Sequence, residues 1–155
     1  RNEGKVSEFS VKQRDKKLKV IMIASDNVGL AGYLRSQLGG RYDVVVQQTT
    51  TGHVNILTRP TKRVDLRWLI AMIRLHEAAK QAIVLPDDSR QLTAPGRLAA
   101  VKDWYYDTAT NSLLNGGLFP TTDIQPTRLS WQELEKIVPL GLSERMVNPS
   151  QPLSK

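Results

Sequence analysis

Two short apolar runs separated by Thr49-Thr50-Thr51-Gly52, and followed directly by the longest helical pattern in the chain, constrain the fold more than any other stretch. Tyr42 to Gln48 reads YDVVVQQ and His53 to Thr58 reads HVNILT. Runs rich in β-branched residues on either side of a glycine-bearing loop predict a β-hairpin. Side chains alternate along a strand, so His53, Asn55 and Leu57 fall on one face and Val54, Ile56 and Thr58 on the other. His53 and Asn55 therefore share a face beside the turn, either facing a ligand or forming a solvated polar pair.

Arg59-Pro60 ends the second run, and Thr61 or Asp65 is placed to cap a helix that continues to about Lys80. At 100° per residue, Val64, Trp68, Ala71, Met72, Leu75 and Ala79 gather on one side and Leu66, Leu69 and Ile73 on another. A helix apolar on two sides is central, packed on a sheet by one side and on a further element or a partner chain by the other. Arg63, Arg67 and Arg74 fall within about 40° of one another in one gap between those sides. This stripe reads either as a phosphate groove or as a solvated edge paired with Glu77. His76, in the opposite gap, reads as a hydrogen-bonded residue of a mostly buried helix.

Upstream, Lys17 to Ala24 (KLKVIMIA) predicts a strand buried on both faces. Ser25-Asp26-Asn27 follows, and then Leu30, Ala31, Leu34 and Leu38 recur at helical spacing until Gly39-Gly40. Asp26 is the expected N-cap and the double glycine the expected stop. Ser25 and Asp26 also stand where open α/β sheets bind anions, at the end of a buried strand. Gly29 and Gly32 do not make the dinucleotide fingerprint. Downstream, Ala82 to Leu85 reads as a short strand or helix tail, and Asp87-Asp88 is a lone pair of carboxylates. Leu98 to Tyr106 and Ser112 to Leu114 flank a turn at residues 107–111 and predict a second hairpin ending at Asn115-Gly116-Gly117. Ser130 and Glu133 form a capping box, with Leu129 and Leu134 as its staple, for a helix over 129–138 that Pro139 closes. The whole pattern predicts an α/β fold, with α+β as the alternative: one mixed sheet with two β-hairpins, a central amphipathic helix and two shorter helices.

The 155 residues make one ordinary domain, expected over 17–142 between a basic flexible arm or linker (1–16) and a disordered tail (143–155). Lys plus Arg outnumber Asp plus Glu by 22 to 15, a formal charge of +7. That excess favours polyanionic partners, nucleic acid among them. Lys5, Lys12, Arg14, Lys16, Lys17 and Lys19 crowd the first nineteen residues, so a basic arm rivals a basic binding site. Without cysteine there are no disulfides or thiolate metal sites, and His53 and His76 are the only imidazoles. No apolar run is long enough to span a bilayer and the N-terminus lacks the apolar core of a signal peptide, so the chain reads as soluble, cytoplasmic and without a membrane partner. It opens on Arg1, as expected of a processed chain or an excised fragment.

No Ser-His-Asp order, P-loop, HExxH or paired-cysteine spacing is present. Thr51-Gly52-His53-Val54-Asn55, followed by the basic helix, resembles the Gly-His turn in the substrate-binding (DHHA1-like) domain of DHH-type phosphoesterases. That family cleaves phosphodiester or phosphoanhydride bonds with manganese, and its turn carries two glycines where this chain has Thr51 and Gly52. The resemblance spans residues 17–80 and implies substrate-phosphate contacts for Gly52 and His53. The family's Asp-His-His run is absent, so the kinship implies a substrate-binding part whose catalytic half, with Mn or Mg, lies outside this chain. Arg59, Arg63 and Arg67 extend that site on electrostatic grounds, with Asn55, Ser25 and Asp26 at its rim. Two other readings stand beside it. One is a non-enzymatic nucleic-acid or protein interaction module; the other is a structural homodimer built on the second apolar side of the central helix.

Overall fold

Residues 5–143 are described by the computed structural model, and the first of them form a strand, not an arm. β1 (Val6–Gln13) pairs antiparallel with β2 (Lys16–Ala24), Gln13 opposite Lys16 across a two-residue turn. The segment carries strand alternation beneath its charge: Phe9 and Val11 pack against the core while Glu8, Ser10 and Lys12 stay exposed. Residue 144 onward, where the tail is expected, lies outside the described residues.

β2 leads through α1 (Leu30–Arg35) to β3 (Val44–Gln48), which runs parallel to it. α1 is shorter than its periodicity suggests. It ends at Ser36, whose N–H bonds to the Tyr33 carbonyl, and Leu38 is exposed. β3 and β4 (Val54–Thr58) form the predicted hairpin, with Gln47 opposite Asn55. A single 3₁₀ turn at Pro60–Lys62 precedes α2 (Arg67–Lys80), and α3 (Ser89–Leu92) follows. β5 (Gly96–Arg97), a second 3₁₀ turn (Ala99–Val101), β6 (Tyr105–Asp107), β7 (Ser112–Leu114) and α4 (Trp131–Leu142) complete the chain. The sheet order is β1-β2-β3-β4-β7-β6-β5, antiparallel except for β2 with β3. It is one mixed seven-stranded sheet with four helices, an α/β fold.

Leu18, Val20 and Met22 of β2, Val44 and Val46 of β3, Val54 and Ile56 of β4 and Leu113 of β7 pave one face of the sheet. They pack on Leu69, Ile70, Met72 and Ile73 of α2 and on Leu134, Ile137, Val138 and Leu142 of α4. Burying each such side chain contributes about 1.5–3 kcal/mol, so this layer dominates stability. The opposite face is covered over Ile21 and Val45 by Ala31 and Leu34 of α1.

α2 is apolar on two sides, as its spacing predicts, but its second side is taken within the chain. α4 lies on it so closely that a Cβ on Gly141 would stand 2.6 Å from Leu69 Cα. α4 of the same chain therefore occupies the Leu69 side of α2. α4 keeps its predicted capping box, Glu133 N–H to Ser130 Oγ at 3.0 Å and Ser130 N–H to Glu133 Oε1 at 2.9 Å. It runs through Pro139 to Leu142, beyond the stop that proline suggested. Proline forfeits one helical hydrogen bond, while the burial of Leu142 continues the packed face of the helix.

Candidate functional site

Ser25, Asp26, Gly52 and His53 do come together, at the end of the sheet where β2 and β3 finish and β4 begins. Asp26 does not cap α1. Its carboxylate accepts from Thr50 N–H and from the Thr50 hydroxyl, both at 2.9 Å, and so clasps the β3–β4 loop. Ser25 Oγ accepts from Asn27 N–H, and Asn27 Oδ1 from Gly29 N–H. Gly52 has φ +90°, a left-handed conformation that glycine adopts without strain.

His53 is 7% exposed, and both ring nitrogens are engaged. Nε2 lies 2.8 Å from the carbonyl of Ile124, which can only accept, so Nε2 carries the proton. Nδ1 is then an acceptor, taking a hydrogen bond from the Thr51 hydroxyl at 2.8 Å. Thr51 Oγ1 in turn stands 2.8 Å from Thr49 Oγ1. Asn55 is likewise buried. Its Oδ1 accepts from Asn115 N–H and Gly117 N–H, and its Nδ2 donates to the Gly117 carbonyl, each at 2.9 Å. The two residues share a face, as alternation predicts, and both use it to hold the 115–124 loop.

The arginines stand elsewhere. Arg59 follows the far end of β4, about 20 Å from His53 at the rise of an extended strand, so one phosphate does not touch both. Its guanidinium grips Asp43 Oδ1 at 2.7 Å (Nη2) and 3.2 Å (Nε). Arg67 is held by Asp65 at 3.0 and 2.8 Å, and that hydrogen-bonded pairing keeps the Asp65 carboxyl below its usual range. Arg63 precedes α2, at φ +51°, and its side chain forms no ion pair.

The expected arginine stripe therefore does not form. Arg74 is fully buried, and its guanidinium donates to the carbonyls of Gln91, Leu92, Ala94 and Gly96 at 2.9–3.2 Å. Burial without a facing carboxylate lowers its pKa to about 10. Glu77, expected to pair with the stripe, is buried on another side. It accepts from Trp104 Nε1 at 2.9 Å, the Thr127 hydroxyl and Arg128 N–H, with the Arg128 guanidinium 3.6 Å away. Asp88 caps α3 by accepting from Arg90 N–H. Among the described residues no group of three or more His, Asp or Glu could hold a metal ion, and no helix is long and apolar enough to cross a membrane.

A cluster of open positive charge lies on β1 and β2. Lys12 is directly opposite Lys17 in the ladder, and Lys19 follows on the same face, opposite Ser10. Like charges directly opposed on antiparallel strands destabilise a sheet. Lys12 and Lys17 form no ion pair, whereas Lys19 donates to the Gly40 carbonyl and lies 4.4 Å from the Tyr42 ring centre. Glu8, on the same face, is engaged by the Tyr42 hydroxyl, a bond that raises the tyrosine pKa to about 12. Arg41, exposed and beside Gly40, adds a further cation without an ion pair; Asp15 in the turn is the opposing charge nearby. The basic run is plain in the sequence, but its folding into a rigid ribbon is carried only by the alternation of Phe9 and Val11. Comparison with family models, with curated proteins and with solved structures finds no match to this chain.

Proposed function

We propose that the protein binds nucleic acid, without catalysis by this chain, through the exposed face of the β1–β2 hairpin. The observation that carries this reading is the Lys12–Lys17 pair: a repulsive contact, unrelieved by any carboxylate ion pair and extended by Lys19, on a chain of net charge +7. A polyanion removes that repulsion and releases its own counterions in doing so. A two-stranded ribbon fixes the backbone from which the two lysines project, so little backbone ordering opposes binding. Gly52 and His53 act on this reading as framework, since a substrate phosphate would have to displace an internal partner of His53.

The test is fluorescence anisotropy of labelled duplex and single-stranded oligonucleotides across a salt series. Replacing Lys12 and Lys17 together by Gln should weaken binding and flatten the salt dependence by roughly 0.9 per lost phosphate contact on duplex or 0.7 on single strand. An unchanged slope and affinity would refute the hairpin as the binding face.

A further inference from the structure

One row of side chains crosses the sheet on the face opposite the main core. Asn55 of β4 is opposite Leu114 of β7, Leu114 opposite Tyr105 of β6, and Tyr105 opposite Arg97 of β5. α1 covers this face over β2, β3 and Leu57 of β4. Over β7, β6 and β5 the covering is the loop 116–124, and between loop and sheet lies a cleft of about 330 Å³. Leu114, Tyr105 and Arg97 form its floor, and Gly116, Phe119 and Ile124 belong to its roof.

The roof is pinned at both ends. Asn55 holds Gly117 by its N–H and its carbonyl, His53 Nε2 holds the Ile124 carbonyl, and Asn115 Nδ2 holds the Gln125 carbonyl. Gly116, at φ +94°, brings the backbone so near Pro120 that a Cβ would stand 2.6 Å from it. The cleft is therefore preformed. Arg97 is preformed as well: its guanidinium carbon lies 5.0 Å from the centre of the Tyr105 ring, and its Nε donates to the Lys102 carbonyl at 3.0 Å. Those two contacts fix the plane of the guanidinium while Nη1 and Nη2 donate no hydrogen bond to the protein, although the Asp123 carboxylate acts on the guanidinium through space. At the mouth, Phe119 is 83% exposed, an aromatic ring with nothing to cover it. Lys102 adds positive charge at the rim through its bond to the Asp123 carbonyl; the exposed Asp123 carboxylate, bonded by the Thr121 hydroxyl, adds the opposing charge.

An apolar floor, an exposed aromatic and a guanidinium fork held edge-free fit a planar ring that carries an anionic ester. We infer that this cleft binds one nucleotide unit, its base between Leu114, Ile124 and Phe119 and its phosphate on Arg97. The choice of a nucleotide rests on the nucleic-acid reading above, but the cleft shares no residue with the hairpin. The unit is either a free mononucleotide or one unstacked nucleotide of a single strand.

Amide chemical shifts of the full chain, titrated separately with adenosine 5′-monophosphate, inorganic phosphate and a short single strand, test this. Saturable shifts at Gly116, Gly117, Phe119 and Ile124 are expected. Arg97→Gln should weaken binding by about tenfold or more, and Phe119→Ser by about threefold. Both positions are exposed, so the fold survives either change. A response to the mononucleotide identifies the free ligand; a response to the strand alone identifies a base within a chain. Silence of these amides to both probes, or inorganic phosphate reproducing the shifts at equal affinity, overturns the proposal. In the Lys12→Gln/Lys17→Gln chain, unchanged strand affinity with the mononucleotide response intact refutes the hairpin and keeps the cleft. Lost strand affinity with a silent cleft does the reverse.

Discussion

His53 Nε2 donates to the carbonyl of Ile124 at 2.8 Å, tying the start of β4 to a loop 71 residues further along the chain. Removing the imidazole leaves that carbonyl without its partner in a buried setting. His53→Ala should therefore destabilise the fold by about 1–3 kcal/mol, read as a shift in the denaturant midpoint. Amide exchange over 116–124 should quicken at the same time. Oligonucleotide affinity and its salt slope should stay at the wild-type values under conditions where the variant is folded; a collapse of both would return His53 to the binding site.

Arg74 supports a loop in the same way, with a guanidinium where His53 uses an imidazole. Its four carbonyl partners lie on residues 91–96, from the end of α3 through the connecting turn to the start of β5. Arg74→Lys keeps the charge and loses the planar fork, so one ammonium cannot reach the spread of acceptors. The expected result is a loss of about 3 kcal/mol or more together with new protease cleavage within 89–97. Unaltered cleavage would mean that the loop holds its shape without the guanidinium.

These two residues show what the sequence makes legible and what it hides. The β3–β4 hairpin, the buried strand β2 and the capping box of α4 are local, and each is written in a few adjacent residues. The partners of Arg74 lie 17 to 22 residues away in a segment without periodicity, so a helical wheel assigns it to a solvated stripe. Asp26 misleads for a similar reason: a carboxylate before a helix is the usual N-cap, but Thr50, 24 residues on, offers two donors at once. β1 is hidden by composition. Lysines outnumber its apolar residues at the hairpin tip, and the turn Arg14-Asp15 puts Arg14 at φ +58° where a glycine or asparagine would have announced it. Of the candidate site, the shared face of His53 and Asn55 is readable from alternation, while their common task of pinning the 115–124 loop is not.

His76 gives the fold a pH dependence that can be separated from that of the carboxylates. Burial lowers its pKa below the ordinary value of 6.5, with Glu133 opposing and Lys80 reinforcing that shift, and its Nε2 has no partner. The unfolded chain therefore takes up a proton at a higher pH than the folded one. Stability from this group is complete above about pH 6.5 and is lost as pH falls toward the folded-state value, since the unfolded state then binds more protons. Asp65, whose carboxyl is depressed by its Arg67 hydrogen bonds, gives a second loss at lower pH, beginning as pH falls through the usual carboxylate range and complete below the depressed folded-state value. His76→Leu should abolish the upper step and leave the lower one. Denaturant midpoints measured from pH 8 down to about 3 decide it, and an upper step that survives the substitution refutes the assignment.

Lys12 and Lys17 pull stability and binding in opposite directions. Neutralising one member of a directly opposed like-charge pair relieves repulsion, so Lys12→Gln should stabilise the free protein by about 0.2–1 kcal/mol at low ionic strength. The gain should shrink as salt screens the pair, since the Debye length falls to about 3 Å at 1 M. The same change removes a cation from the proposed nucleic-acid face and should weaken oligonucleotide binding at every salt concentration below that limit. Lys12→Ser, at the same exposed strand position, repeats the charge change with a different side chain and controls for strand propensity. Paired denaturation and anisotropy series on both variants are the measurement. If stability falls while affinity is unchanged, the hairpin lysines are held by contacts within the fold and the ribbon is not kept for a polyanion.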